Sequence, residues 1–227
     1  PMLIPIVTGL VGHEGVDLVV QLEGETSPAS QHTLKLTRPT QRFVFEGVTE
    51  APVPSLLRNF SAPVKLTFDY NDQQLMFLMA NDSDGFNRWD AAQTLTRRTL
   101  LAMVEQQHQG QSMHVKDDLL EAFAAALSSD DVEPALTAEV LGLPAIGYLG
   151  DFMATVDVDG LHGARERLKK AVGERLFDEM LARFHALDDD TPYTPSPTAI
   201  GRRSLKNCLL SFLIAADRDV GVGLCEA

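Results

Sequence analysis

Cysteine is nearly missing from this sequence: only Cys208 and Cys225 occur among 227 residues. Two thiols cannot build a disulfide framework, and their spacing fits no zinc motif, so a reduced, cytoplasmic setting is expected. Basic residues are also short, with 19 Lys and Arg against 32 Asp and Glu, a net charge of −13. Such a charge repels phosphate backbones and anionic headgroups, which argues against nucleic acid and membrane surfaces as partners. No apolar run approaches the ~20 residues that span a bilayer. The opening Pro1-Met2-Leu3-Ile4-Pro5 has no basic segment and no cleavage site, so it does not read as a signal peptide. A strand-like run that begins at Pro1 is instead expected of a piece cut from a longer chain.

Hydrophobic residues make up 44% of the chain and charged residues 22%, the mixture of a globular protein with room for one large or two small domains. Two periods divide it. Up to about residue 83 the pattern alternates: Leu34 and Leu36 with Thr33, Lys35 and Thr37, then Val64, Leu66 and Phe68 with Lys65, Thr67 and Asp69. Leu75–Met79, after Tyr70-Asn71-Asp72, reads as the hairpin partner of 64–69, and Gly12-His13-Glu14-Gly15 reads as the turn of a hairpin joining 3–11 to 17–22. Short strands at roughly ten-residue spacing predict a small Ig-like antiparallel β-sandwich over 1–83.

From 84 to 227 the period is helical. Ser83 or Asp84 can cap a helix that carries Phe86, Trp89, Ala92 and Leu95. Leu119, Leu120, Phe123, Ala124 and Leu127 mark a second stripe, and Glu133-Pro134 opens a short helix that stops near Gly142. Leu168, Val172, Leu176, Met180 and Phe184 predict one long helix. Leu205, Cys208, Leu209, Phe212, Leu213 and Ala216 predict the last. Helices on short loops predict an all-α bundle or α-solenoid, and core packing explains the stripes. The acid- and proline-rich stretch from Asp188 to Pro197 reads as a solvated loop.

The residues offer little chemistry. Histidines stand at 13, 32, 108, 114, 162 and 185, and no two have the i, i+4 spacing of a helical zinc site. His13-Glu14 sits between glycines, as in a turn, and His108 and His114 flank Gly110 in an expected loop. Cys208 falls on an apolar helix face, where a thiol is a small hydrophobe, while Cys225 has no basic neighbour in sequence. Gly142 and Gly147 have the P-loop interval, but Tyr148-Leu149 stands where Lys-Ser/Thr is required. Asn59-Phe60-Ser61 and Asn81-Asp82-Ser83 match the glycosylation pattern only by chance. Glu166 and Glu174 read as the wet face of their helix. These residues alone favour an accessory region over a complete enzyme.

Several stretches carry a resemblance. Gln73-Gln74-Leu75-Met76-Phe77-Leu78-Met79 running into Phe86-Asn87-Arg88-Trp89-Asp90-Ala91-Ala92-Gln93 is the most specific. Val53-Pro54-Ser55-Leu56-Leu57 with Phe60–Leu66, Asp131–Glu139, and Arg203–Leu209 support it. Together they resemble the region of the bacterial aminopeptidase N family of zinc metallopeptidases where a small β-sandwich joins the C-terminal helical domain. The resemblance implies a parent in which an N-terminal β-domain and a thermolysin-like catalytic domain precede this region. That catalytic domain would carry Gly-Ala-Met-Glu-Asn for the substrate amine, and His-Glu-x-x-His with a downstream Glu for zinc. None of these motifs occurs here, so no catalytic, cofactor-binding or metal residue is assigned in this chain. Zinc is implied for the parent and none for this piece. The missing catalytic domain and the parent's peptide substrates are the implied partners.

The same resemblance implies that the helical domain runs on past Ala227. It makes the sandwich a spacer, the helices part of a wall around the catalytic cavity, and Trp89 an anchor where the two domains meet. The competing reading is a stand-alone acidic module of sandwich and helices that binds a basic protein. A third is a hydrolase site assembled from scattered residues such as His162 and His185.

Overall fold

The computed structural model describes residues 2–129, 132–188 and 193–226. The chain forms two compact units, one ending at Ala91 and one starting at Ala92.

In the first unit β1 (Ile4–Val11) is the middle strand of an antiparallel sheet, flanked by β3 (Gln31–Leu36) and β5 (Val53–Leu56). β1 uses Ile4–Gly9 to pair with β3 and Thr8–Val11 to pair with β5. The short strands β2 (Gln21–Leu22) and β4 (Phe45–Glu46) form a second sheet. The period-two reading of β3 holds: His32 and Leu34 are buried between exposed Gln31, Thr33 and Lys35. Leu34 lies opposite Ile6, which sets the inward face. The turn after β1 also forms, with Gly15 in the left-handed region at φ 77° and its N–H donating to Gly12 O at 2.9 Å. Only the bridge Val11–Asp17 follows it, because the chain then leaves to build β2 against β4.

Two expected strands are corrected. Leu75–Met79 lies inside helix α1 (Asp72–Asn81). Asn71 caps α1, its side chain accepting from Gln74 N at 2.9 Å while Gln74 Oε1 accepts from Asn71 N at 3.0 Å. This reciprocal box satisfies two orphan N–H groups and starts a helix. Leu75, Leu78 and Met79, spaced i, i+3, i+4, are its buried face. Residues 64–69, without that hairpin partner, form no ladder, and Leu66 and Phe68 remain partly exposed.

Helix α2 (Gly85–His108) begins in the first unit, where the Asp84 carboxylate accepts from Asn87 N at 2.9 Å, as expected for a cap. In the second unit follow α3 (Asp117–Leu127), α4 (Pro134–Leu141), α5 (Ile146–Gly150), α6 (Val158–Arg175), α7 (Phe177–Ala186), α8 (Pro197–Ala216) and α9 (Arg218–Glu226). Pro134 opens α4 and Gly142 closes it, as predicted. α8 is the hub, packing on α4, α6, α7 and α9. Phe212 on α8 meets Phe123 on α3 edge to face at 6.4 Å, both almost fully buried. The helix expected to run from Leu168 to Phe184 is two helices. Leu176, at φ −116° and ψ 24°, breaks it. All five stripe residues are buried nonetheless, since the corner at Leu176 lets both α6 and α7 lie against α8. Of the stretch from Asp188 to Pro197, residues 189–192 fall outside the described residues.

Candidate functional site

The most elaborate side-chain chemistry lies in the first unit, around Arg58. Its residues come from the turn after β1, from β5 and a 3-10 turn (Arg58–Phe60), and from the α1–α2 junction. The Arg58 side chain is 3% exposed. Its guanidinium donates in bidentate fashion to Asp17, Nη1 to Oδ2 at 2.9 Å and Nη2 to Oδ1 at 2.6 Å, while Nε donates to Ser55 Oγ at 2.8 Å. Asp82 Oδ1 lies 3.4 Å from Nη2. The group occupies space left by Gly9, where a Cβ would collide with it. Asn87 donates to the same Ser55 Oγ at 2.7 Å, Ser83 donates to Asp17 at 2.7 Å, and Arg88 Nε donates to Asp82 O at 3.0 Å.

Asp17, partly buried, and Asp82, fully buried, respond in opposite directions. Burial would push the Asp17 carboxyl up. The Arg58 and Ser83 hydrogen bonds and the Arg58 charge outweigh it and hold the carboxyl below its usual range. Burial wins at Asp82 and pushes its carboxyl up, despite the Asp84 N–H, Ser55 and Arg58. Asp82 Oδ2 finds no hydrogen-bond partner among the described residues. Nearby, the Tyr70 hydroxyl donates to Pro54 O at 2.6 Å, and burial, then Asp82 and Asp90, push the phenol up.

This network holds a strained backbone. Leu57, Asn59 and Phe60 have φ of 57°, 54° and 49°, left-handed values that cost a non-glycine residue roughly 1–3 kcal/mol each. Asn59 N donates to Asp84 Oδ2 at 2.9 Å, and Val7 N donates to Ser61 Oγ at 2.9 Å, so both flanks of Phe60 are tied. Phe60 is 53% exposed. It packs on Phe86 at 5.3 Å, and Phe86 packs on Trp89 at 5.7 Å.

The residues weighed in the sequence are scattered. His13 is exposed beside Glu14 and Glu50. His32 is buried, its Nε2 2.9 Å from Val20 O and its Nδ1 2.7 Å from Glu25. His108 ends α2 rather than lying in a loop, with Nε2 2.7 Å from Asp157, the cap of α6. That carboxyl is held low first by the Gly160 N–H and then by His108. His114, His162 and His185 are exposed. Burial, then Glu139, pushes the Cys208 thiol up to about 12, while Cys225 is exposed. Glu166 pairs with Lys169 and Glu174 with Lys170. Among the described residues no three His, Cys, Asp or Glu come together to hold a metal. No helix among them is long and apolar enough to cross a membrane.

The sequence reading missed Arg58 and its partners. Asn59-Phe60-Ser61 drew notice as a glycosylation pattern and, from Phe60 on, as part of the resemblance, but not as the left-handed turn that ties the sheet to the helix caps. The available signal was Asp82-Ser83-Asp84, two acids at a helix start, with one arginine in an otherwise uncharged stretch at 51–64.

Comparisons with known proteins agree with this architecture. A family described as a domain of unknown function (DUF3458_C) with ARM repeats matches residues 72–226, and one described as a domain of unknown function (DUF3458) with an Ig-like fold matches residues 1–69. Aminopeptidase N of Escherichia coli is 36% identical over 213 residues, which are 94% of this chain and 24% of that protein. The Haemophilus influenzae protein of the same name is 31% identical over 92% of this chain and 24% of its own length. That of Caulobacter vibrioides is 34% identical over 75% and 20%. The chain thus spans about a quarter of the length of the curated relatives it matches. The solved structure of Legionella pneumophila aminopeptidase A in complex with aspartic acid shares the fold. Its TM-score is 0.76 at 23% identity, over 98% of this chain and 25% of that one.

Proposed function

The chain belongs to the family formed by the C-terminal Ig-like and ARM-repeat regions of bacterial aminopeptidase N, and from that premise we propose that it is a non-catalytic region of a zinc-dependent aminopeptidase. The observation that carries this reading is 36% identity to an aminopeptidase N across 94% of the chain, which falls on only 24% of that protein. The parent removes N-terminal amino acids from peptides. Its zinc and its catalytic residues stand in the part of the polypeptide that this chain does not span. The Ig-like region serves as a spacer following the catalytic part. The ARM-like helices contribute to the wall that limits the cavity to short peptides, a role that needs packing rather than reactive side chains. The parent works in the cytoplasm, where the unpaired thiols Cys208 and Cys225 stay reduced.

Hydrolysis of an alanine arylamide tests this. The full-length gene product should turn the substrate over and lose activity to a zinc chelator, regained on adding zinc. The 227-residue chain alone should give no turnover with or without zinc. Zinc-dependent turnover by the chain itself, or none by the full-length protein, would sink the reading.

A further inference from the structure

The turn at 57–61 is costly to build, since left-handed backbone is unfavourable for non-glycine residues. Three of four consecutive residues at 57–60 are left-handed without being glycine, and the buried guanidinium and Asp84 hold them there. The result is to present a phenylalanine ring to solvent. Phe60 is 53% exposed, whereas Leu57 in the same turn is 4% exposed. It packs at a tilt on Phe86, and Phe86 on Trp89, both only partly buried, so three rings make a step on the surface. Aromatic anchors on a rigid base, ringed by polar groups, are the composition of an interface centre. Strain that over-determines an exposed side chain marks a place where that side chain is used.

We infer that Phe60, backed by Phe86 and Trp89, is the anchor on which the remainder of the parent polypeptide docks. This rests on the reading of the chain as one region of an aminopeptidase. The relatives' lengths put about three quarters of the polypeptide outside this chain, so a large partner surface exists in the same molecule. A second copy is the less suitable occupant. Each copy would bring a net charge of −13 to the contact, so two copies repel one another before they meet.

Hydroxyl-radical footprinting of Phe60 tests the proposal, with the full-length protein and the 227-residue chain labelled side by side. A half-exposed ring that enters an interface core should be labelled about fivefold less in the full-length protein. Equal labelling overturns the proposal. The variant F60S should make the full-length protein markedly more prone to nicking by protease while leaving the melting of the 227-residue chain unchanged or raised. An equal loss in both would make Phe60 a purely local structural residue and also overturn it. Self-association of the 227-residue chain that F60S abolishes would assign the surface to a second copy instead. The arylamide assay on the same samples separates the two readings. Hydrolysis with an unprotected Phe60 sinks the anchor alone, and protection without hydrolysis sinks the enzyme reading and leaves the anchor standing.

Discussion

Gly173 on α6 faces the backbone carbonyl of Phe212 so closely that a Cβ would overlap it. Backbone cannot rotate aside as a flexible side chain can, so G173A should destabilise the chain by about 1–3 kcal/mol, read from urea denaturation. Asp17 and Asp82 give a pH signature of two signs. Asp17, held low, contributes stability that is full above the ordinary value of 3.8 and is lost as pH falls through its lower folded value. Asp82, pushed up, contributes stability that is full below 3.8 and is lost as pH rises through its higher folded value. D17N should therefore flatten the acid limb of a stability–pH curve. D82N, whose amide oxygen still accepts from Asp84 N–H, should flatten the decline just above it. A curve that keeps both limbs in both variants would contradict this assignment. None of this was legible from residue types alone. A single arginine between Leu57 and Asn59 has no periodicity, and its three acids arrive from 41, 24 and 26 residues away.

At the scale of elements, legibility followed local chemistry. The cap at Asp84, the proline start and glycine stop of α4, and the alternation of β3 are each set by neighbours in sequence, and each formed as read. The stretch 64–79 misled because five apolar residues fit a strand or a buried helix equally, and the capping box at Asn71 decided for the helix. N71A should lower stability by about 1 kcal/mol, seen as a lower melting temperature. The break at Leu176 was hidden because the hydrophobic stripe passes through it without interruption. Only the packing of α6 and α7 on α8 calls for a corner there. As for the site, the sequence yielded an absence of motifs. The strained turn and its aromatic step came from the structure.

Over the whole molecule, charge and ancestry govern behaviour. At −13 the chain should pass unretained through heparin and leave a DNA duplex unshifted at low salt, and retention would reveal a basic surface that composition conceals. The Arg58 cluster also bears on where the gene can be divided. The Ig-like match ends at residue 69, an inviting place to cut. Yet Ser83 and Asp82, which neighbour the Asp17–Arg58 pair, and Asp84, which holds the turn, all lie beyond it. A piece ending at 69 would keep the guanidinium and lose two of its acids along with the clamp on Asn59. Closing that region requires chain from both ends of a long span, Ser83 reaching back to Asp17 across 66 residues, so the entropy of closing that loop is met only when the helix caps are present. A library of truncations should show soluble expression beginning only when the cut moves past Asn87. The smallest unit that evolution can shuffle here is then the sheet together with the start of α2, longer than its sequence family suggests.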